Sequence, residues 1–373
     1  MNELKHSLQT LKRQGRHVIG CFPLYAPLEL LHSFGLTPVV LWGLRSEVKD
    51  LSRSDRHLQN YTCQVARYLT GFILENNSSV FDALFMYNAC DTLRNLPEII
   101  EAGLDEDSKS LNIFKLHVPA VPHYRTGAQS YLIDRIHSLI AELEEFTHRS
   151  FSPQDFSTSV DLYSRRRGLC REVDDLCAQG RTTFASCAGL LELAHFMRVE
   201  EHITLLEREI LKAQKMPHNV LPHKKVMVSG IQTPPVELIE AMEAMGLRIV
   251  ANDIATLARS YGYCPEPSTD PCEYYHDFYF NHYPCTTILP AGDRRIDLIR
   301  ARIHESGAQG FIFFGEKFCE YEYFEIPFLK DMLRSFGVKV LQLELGADDL
   351  INLMSHKTRI EAFAEILNAG NVP

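Results

Sequence analysis

Two stretches far apart in the chain are written in one pattern, and that repetition constrains the fold more than any other feature. In the first, an apolar run, His17-Val18-Ile19-Gly20-Cys21-Phe22, is followed by a loop and then by Pro27-Leu28-Glu29-Leu30-Leu31. In the second, Lys225-Val226-Met227-Val228-Ser229-Gly230 is followed by Pro234-Pro235-Val236-Glu237-Leu238-Ile239. A short unbroken apolar run reads as a strand buried on both faces. A proline at the first turn opens a helix, because the N–H it lacks is one the helix leaves unpaired there. Each helix runs to a glycine, Gly35 or Gly246, and a second strand follows at 37–42 or 247–251. Third and fourth strands are expected at 83–87 and 113–118 in the first half, and at 310–314 and 338–343 in the second.

Strand–helix alternation of this kind implies parallel sheets covered on both faces. The expected class is therefore α/β, with two similar parallel-sheet domains of the Rossmann or flavodoxin type. Residues 131–214 are helical in pattern with no convincing strand, and a polar linker runs from Met216-Pro217 to Lys225. The expected division is 1–125, an N-terminal α/β domain; 126–220, a helical segment; and 221–373, a C-terminal α/β domain.

A net charge of −10 argues against nucleic acid or an anionic membrane surface as a partner. The Arg165-Arg166-Arg167 run reads as the solvated face of a helix. Residues 1–16 lack an apolar signal core, and no run reaches the roughly 18 apolar residues of a membrane span. A cytoplasmic protein is expected, its ten cysteines reduced thiols with no C-x-x-C pair among them.

Open parallel sheets bind ligands beyond the carboxyl ends of their strands, so the position of each cysteine matters more than the count. Cys90-Asp91 follows the third strand of the first half, and Cys319-Glu320 follows the third strand of the second. Cys63 precedes the helix leading into the first of these strands, as Cys285 precedes the helix leading into the other. Four cysteines thus hold matching places, and a helix start stabilises a thiolate. Soft thiolates select zinc, copper(I) or iron–sulfur clusters. The absence of tight local pairs counts against zinc, while cluster ligands tolerate wide scatter; inert, packed thiols remain an alternative. Cys170, Cys177 and Cys187 are expected in a helical core and Cys21 as a buried thiol, with Cys264 and Cys272 at the surface of a Pro-rich loop.

At this point the residues resemble a known family, the 2-hydroxyacyl-CoA dehydratase and benzoyl-CoA reductase subunits. The resemblance rests on Gly20-x-Phe22-x-x-Tyr25-x-Pro27-x-Glu29-Leu30, Cys90-Asp91-Thr92-Leu93-Arg94 and Lys317-Phe318-Cys319-Glu320. Phe324-Glu325-x-Pro327-x-Leu329-Lys330 and Thr358-Arg359-Ile360-Glu361-Ala362-Phe363 continue it, in the family's order. The chain departs from the pattern at Pro23, where dehydratase subunits often carry cysteine, and through 346–357. The resemblance implies a [4Fe-4S] cluster held by Cys63, Cys90 and Cys319 with one iron left open. Cys285 is a further candidate ligand, and Lys317 a neighbour of the cluster. It also implies an oxygen-sensitive lyase subunit working with an acyl-CoA substrate, a homologous second subunit or a second copy of itself, and an ATP-dependent iron–sulfur activator. In the dehydratases one electron gives a ketyl radical from which hydroxide leaves; in the reductases electrons go to an aromatic ring. A non-catalytic electron-transfer protein of the same fold is the alternative within the resemblance, and a zinc-bound or metal-free descendant the alternative outside it.

Several other side chains draw notice. Tyr25 and Glu29 stand near the carboxyl end of the first strand as candidates for the substrate cleft, although Glu237 repeats Glu29 and suggests a shared helix-capping role. His282 and the aromatic segment Tyr274-Tyr275…Phe278-Tyr279-Phe280…Tyr283 read as packing.

Overall fold

The computed structural model of the chain describes residues 3–44, 47–76, 79–106, 109–121, 124–217, 224–288, 292–346 and 353–369. All eight expected strands form: β1 (His17–Phe22), β2 (Leu36–Val40), β3 (Ala83–Tyr87), β4 (Asn112–Leu116), β5 (Lys224–Gly230), β6 (Leu247–Ile254), β7 (Gly310–Glu316) and β8 (Lys339–Leu345). They make two four-stranded sheets of order β2-β1-β3-β4 and β6-β5-β7-β8, with every neighbouring pair parallel. In both sheets the order reverses between the first and third strands, the kind of switch point beside which open α/β sheets take ligands. Between β4 and β5 the described residues contain helices alone, from Ala128–Thr147 to Val199–Gln214. The polar linker falls largely at 218–223, outside the described residues.

The chain divides into two compact units, each assembled from three segments. The first comprises Met1–Arg167, Ala194–His202 and Tyr263–Pro290; the second comprises Gly168–Leu193, Ile203–Gly262 and Ala291–Pro373.

In the second unit the two-residue period of the strands is written into the core. On β5, Val226 and Val228 join the cluster with Ile239, Ile312, Phe314 and Phe363, while Met227 between them joins Ile299, Phe311, Phe313 and Leu333. Successive side chains of a strand point to opposite faces, so a sheet with a core on each face needs an apolar residue at every position. That need explains the unbroken apolar runs. Gly230 closes β5 where a β-carbon would stand 2.5 Å from the carbonyl oxygen of Phe314 on β7.

In the first unit, Val18, Ile19, Leu84, Phe85 and Met86 are all buried, and Trp42 stacks on Phe22 with ring centroids 5.2 Å apart. The helix Leu28–Ser33 starts one residue after Pro27, which sits at the capping position and not inside the first turn; Pro235 does the same before Val236–Ala244. The arginine run is not a solvated face throughout. Arg166 and Arg167 are buried, and Arg167 forms an ion pair with Glu29. Glu29 and Glu237 share no role either, for Glu237 is exposed while Glu29 is wholly enclosed.

Candidate functional site

The loop after β3 carries Cys90, and its course is set by Asn88. The Asn88 side chain accepts from the N–H of Val118 (2.7 Å) and donates to its carbonyl (3.1 Å), bracing the loop against the exit of β4. Cys90 then takes the capping position of the short helix Asp91–Arg94. It is half-buried. Burial pushes its thiol pKa up, and the backbone N–H groups of Leu93 and Thr92, which point at the sulfur, pull in the other direction without cancelling it. The same N–H groups would stabilise a metal-bound thiolate, whose negative charge they face. Cys63 is half-buried and immediately precedes Gln64–Asn76, its carbonyl accepting from Arg67 N–H at 3.3 Å.

Cys285 lies in the first unit as well. It stands beside the carboxyl end of β3, where Tyr87 Oη donates to the Thr287 carbonyl at 3.0 Å. Its thiol is 0% exposed and 3.2 Å from Thr287 Oγ1. The match between Cys63 and Cys285 is therefore one of sequence order. In space, one is a half-open thiol at a helix start and the other is enclosed in a turn. Cys272, expected at the surface, is buried with His137 Nε2 3.3 Å from its sulfur, because the segment around it packs into the first unit.

Glu29 and Tyr25 are both inside the first unit. Glu29 Oε1 accepts from Arg167 and from Tyr274 Oη (3.1 Å), and Oε2 accepts from Tyr275 Oη (3.0 Å). Burial raises the Glu29 pKa, but Arg167 and the hydrogen bonds outweigh it and leave the carboxyl below its usual range. Tyr25 packs edge-on against His282 at 4.0 Å, and its carbonyl accepts from Tyr279 Oη. The aromatic helix Pro271–Asn281 thus packs as expected and supplies the hydroxyls around Glu29.

In the second unit, β7 runs into a turn in which Cys319 N–H donates to the Glu316 carbonyl (3.0 Å). Phe318 within it has φ = 66°, the left-handed region that a bulky residue enters at a cost. Lys317 Nζ sits 5.5 Å from the centre of the Phe318 ring, and Cys319 is half-buried at the head of Glu320–Tyr323. Gly315 leaves room for the Tyr323 ring; a β-carbon there would meet Cζ of that ring at 2.7 Å.

Behind this turn lies a charge cluster that sequence reasoning missed. Asp253, at the carboxyl end of β6, accepts from Arg259 (3.0 Å), Arg295 (2.9 Å) and Ser229 Oγ (2.9 Å). Burial raises its pKa, but the two guanidiniums prevail and hold it at about 2. Glu325 also pairs with Arg295. Glu322, three residues after Cys319, is wholly buried with Arg259 3.6 Å away, and among the described residues neither of its oxygens accepts a hydrogen bond. Burial, with Asp253 and Glu325 nearby, pushes it to about 7 against the pull of the arginines. Two arginines already have two carboxylates, so the third is shifted toward its neutral form. The polar pair Asn252-Asp253 near the end of a mostly apolar strand was the available signal.

Among the described residues no three His, Cys, Asp or Glu side chains are gathered as a single metal ion requires. The donor chemistry at Cys63, Cys90 and Cys319 taken one by one does fit an iron–sulfur group: half-buried thiols on loops that end a strand or open a helix, with backbone N–H groups facing the sulfur at Cys90.

Two flavodoxin-ordered sheets, each with a cysteine following its third strand, define a double α/β protein. The chain belongs to the 2-hydroxyglutaryl-CoA dehydratase, D-component family, whose model matches residues 23–367. It is 27% identical over 370 residues to the beta subunit of (R)-2-hydroxyglutaryl-CoA dehydratase of Acidaminococcus fermentans, covering 97% of this chain and 96% of that one. It is 22% identical over 368 residues to the (R)-phenyllactyl-CoA dehydratase beta subunit of Clostridium sporogenes, covering 98% and 96%. A benzoyl-CoA reductase subunit of Thauera aromatica is 24% identical over 323 residues, covering 85% and 82%. Among the described residues no helix is long and apolar enough to cross a membrane.

Proposed function

We propose that this chain is the iron–sulfur subunit of a 2-hydroxyacyl-CoA dehydratase, a lyase, and that Cys63, Cys90 and Cys319 hold its [4Fe-4S] cluster. One observation carries the assignment. Of the ten cysteines, only these three and Cys264 are half-buried, and the other six are enclosed. A ligand must be reachable by the incoming iron yet shielded once bound. Cys285, shut in against Thr287, stays outside the ligand set in this reading. The bound cluster supplies one-electron chemistry to the acyl-CoA thioester.

The remaining work falls to the chain itself. Asn88 fixes the loop that presents Cys90, and the N–H groups of Thr92 and Leu93 meet its negative charge. The strained turn at Phe318 aims Cys319, and the Lys317 ammonium lies over the Phe318 ring in the same turn. The relatives are subunits of larger enzymes, which supports a homologous second subunit as partner. An ATP-dependent activator and a cytoplasmic location follow from the same reading.

The test is anaerobic reconstitution with iron and sulfide. Cys63→Ala, Cys90→Ala and Cys319→Ala should each lose the cluster absorption and most of the iron, while Cys285→Ala keeps both. Unchanged iron in all three variants would overturn the ligand assignment. The likeness to the benzoyl-CoA reductase of Thauera aromatica supports a second reading, with an aromatic thioester as substrate. A cluster spectrum that responds to benzoyl-CoA and not to 2-hydroxyacyl-CoA esters, with the partner subunit present, would favour it.

A further inference from the structure

At the end of the second sheet opposite Cys319, the helices Pro153–Ala178, Phe184–Glu192 and Val199–Gln214 line a half-open cavity of about 860 Å³ against the first residues of β6. Its wall is largely apolar, with Leu176, Leu190, Ile210 and Ile249 among the lining residues, and two thiols, Cys177 and Cys187, border the same space. The two are adjacent. Cys187 Sγ is 3.7 Å from the Val173 carbonyl, one helical turn before Cys177. Cys177 donates its proton toward Cys187, which holds that proton well above the usual thiol range. Both are free and border the cavity while being almost wholly enclosed, at 4% and 2% exposure. Cys170, on the same helix and equally buried, does not border the cavity, so it serves as an internal control.

We propose that Cys177 and Cys187 are a redox-active dithiol that closes to a disulfide when a small peroxide enters this cavity. One sulfur attacks the O–O bond of hydrogen peroxide, giving a sulfenic acid and one water. The second sulfur then displaces the hydroxyl of the sulfenic acid, which leaves as a second water with the second thiol's proton. Each sulfur gives up one electron, and the peroxide takes up two electrons and two protons. The new bond ties the last turn of Pro153–Ala178 to the first turns of Phe184–Glu192 across residues 179–183. A dithiol reductant reverses it. Nothing in this proposal depends on the metal reading, since it concerns the other end of the sheet.

The experiment uses the full chain, reduced and metal-free, treated with hydrogen peroxide, then unfolded and alkylated. The expected result is a loss of about 2 Da before alkylation. Trypsin cleaves between the two at Arg181, so two peptides joined through Cys177 and Cys187 are expected, and dithiothreitol should return all ten alkylatable thiols. Cys187→Ser should abolish the linked peptides, and Cys170→Ser should leave them. Full alkylation after peroxide, or oxygen added to these sulfurs without a link, refutes the proposal, and the wild-type peptide map decides even if a variant fails to fold.

Discussion

Arg167 lies against the carboxylate of Glu29 inside the first unit, although 138 residues separate them along the chain. Taking two charges out of water is costly, and the pair recovers that cost only while both members are present with their hydrogen bonds. Arg167→Leu should therefore destabilise the protein by about 3–5 kcal/mol, by leaving a buried carboxylate unpaired. Adding Glu29→Gln to it should recover part of the loss. Urea unfolding of the two single variants and the double variant gives the coupling; additive effects would contradict it.

Acid should act on the second unit through Asp253. Its carboxyl titrates at about 2 when folded, against an ordinary value of 3.8. A depressed pKa contributes stability that is complete above the unfolded value and is lost as pH falls through the folded one. The contribution, on the order of 2 kcal/mol, should disappear between about pH 4 and pH 2. Asp253→Asn should flatten the pH dependence of the unfolding midpoint in that window. An unchanged slope would show that the arginines find other partners.

Gly230→Ala and Gly20→Ala make a matched pair of tests. A β-carbon at Gly230 meets the main-chain oxygen of Phe314, which cannot move without disturbing the pairing of β5 with β7. At Gly20 the nearest atoms are the ends of side chains, Leu41 Cδ1 at 2.7 Å and Leu84 Cδ2 at 2.8 Å, which can rotate. Overpacking of this kind costs about 1–3 kcal/mol, with Gly230→Ala the larger of the two. Thermal melts of both variants rank them.

Much of the fold is legible in the sequence, and the reason is local. Strands with a core on each face must be apolar throughout, so β1, β3, β5 and β7 announce themselves, and the cysteines after β3 and β7 can be placed by counting. Arg167 cannot be placed that way. Three successive arginines look solvated, and only the distant Glu29, Tyr274 and Tyr275 make an enclosed guanidinium stable. The same holds for Cys272 and Cys285, whose surroundings belong to a unit whose sheet ends far upstream. Asp253 escapes notice because its partners, Arg259, Arg295 and Ser229, come from separate elements and converge only when the sheet forms.

Phe318 holds a left-handed backbone conformation that suits a bulky side chain poorly, and it directly precedes Cys319. Phe318→Gly removes the clash of a left-handed residue, worth about 1–2 kcal/mol, and should leave the protein at least as stable as the parent. Phe318→Val, branched next to the backbone, should lower stability. A Gly variant less stable than the Val variant would mean that the exposed ring and its contact with Lys317 dominate.

The aromatic helix Pro271–Asn281 has a consequence for how the molecule is made. Its tyrosines complete the surroundings of a carboxylate translated some 245 residues earlier. During synthesis the amino-terminal sheet must wait, with Glu29 lacking those hydroxyls, until most of the polypeptide has left the ribosome. A fragment cut after β4 would expose apolar surface that the whole chain covers, so neither unit can be excised as a single contiguous piece.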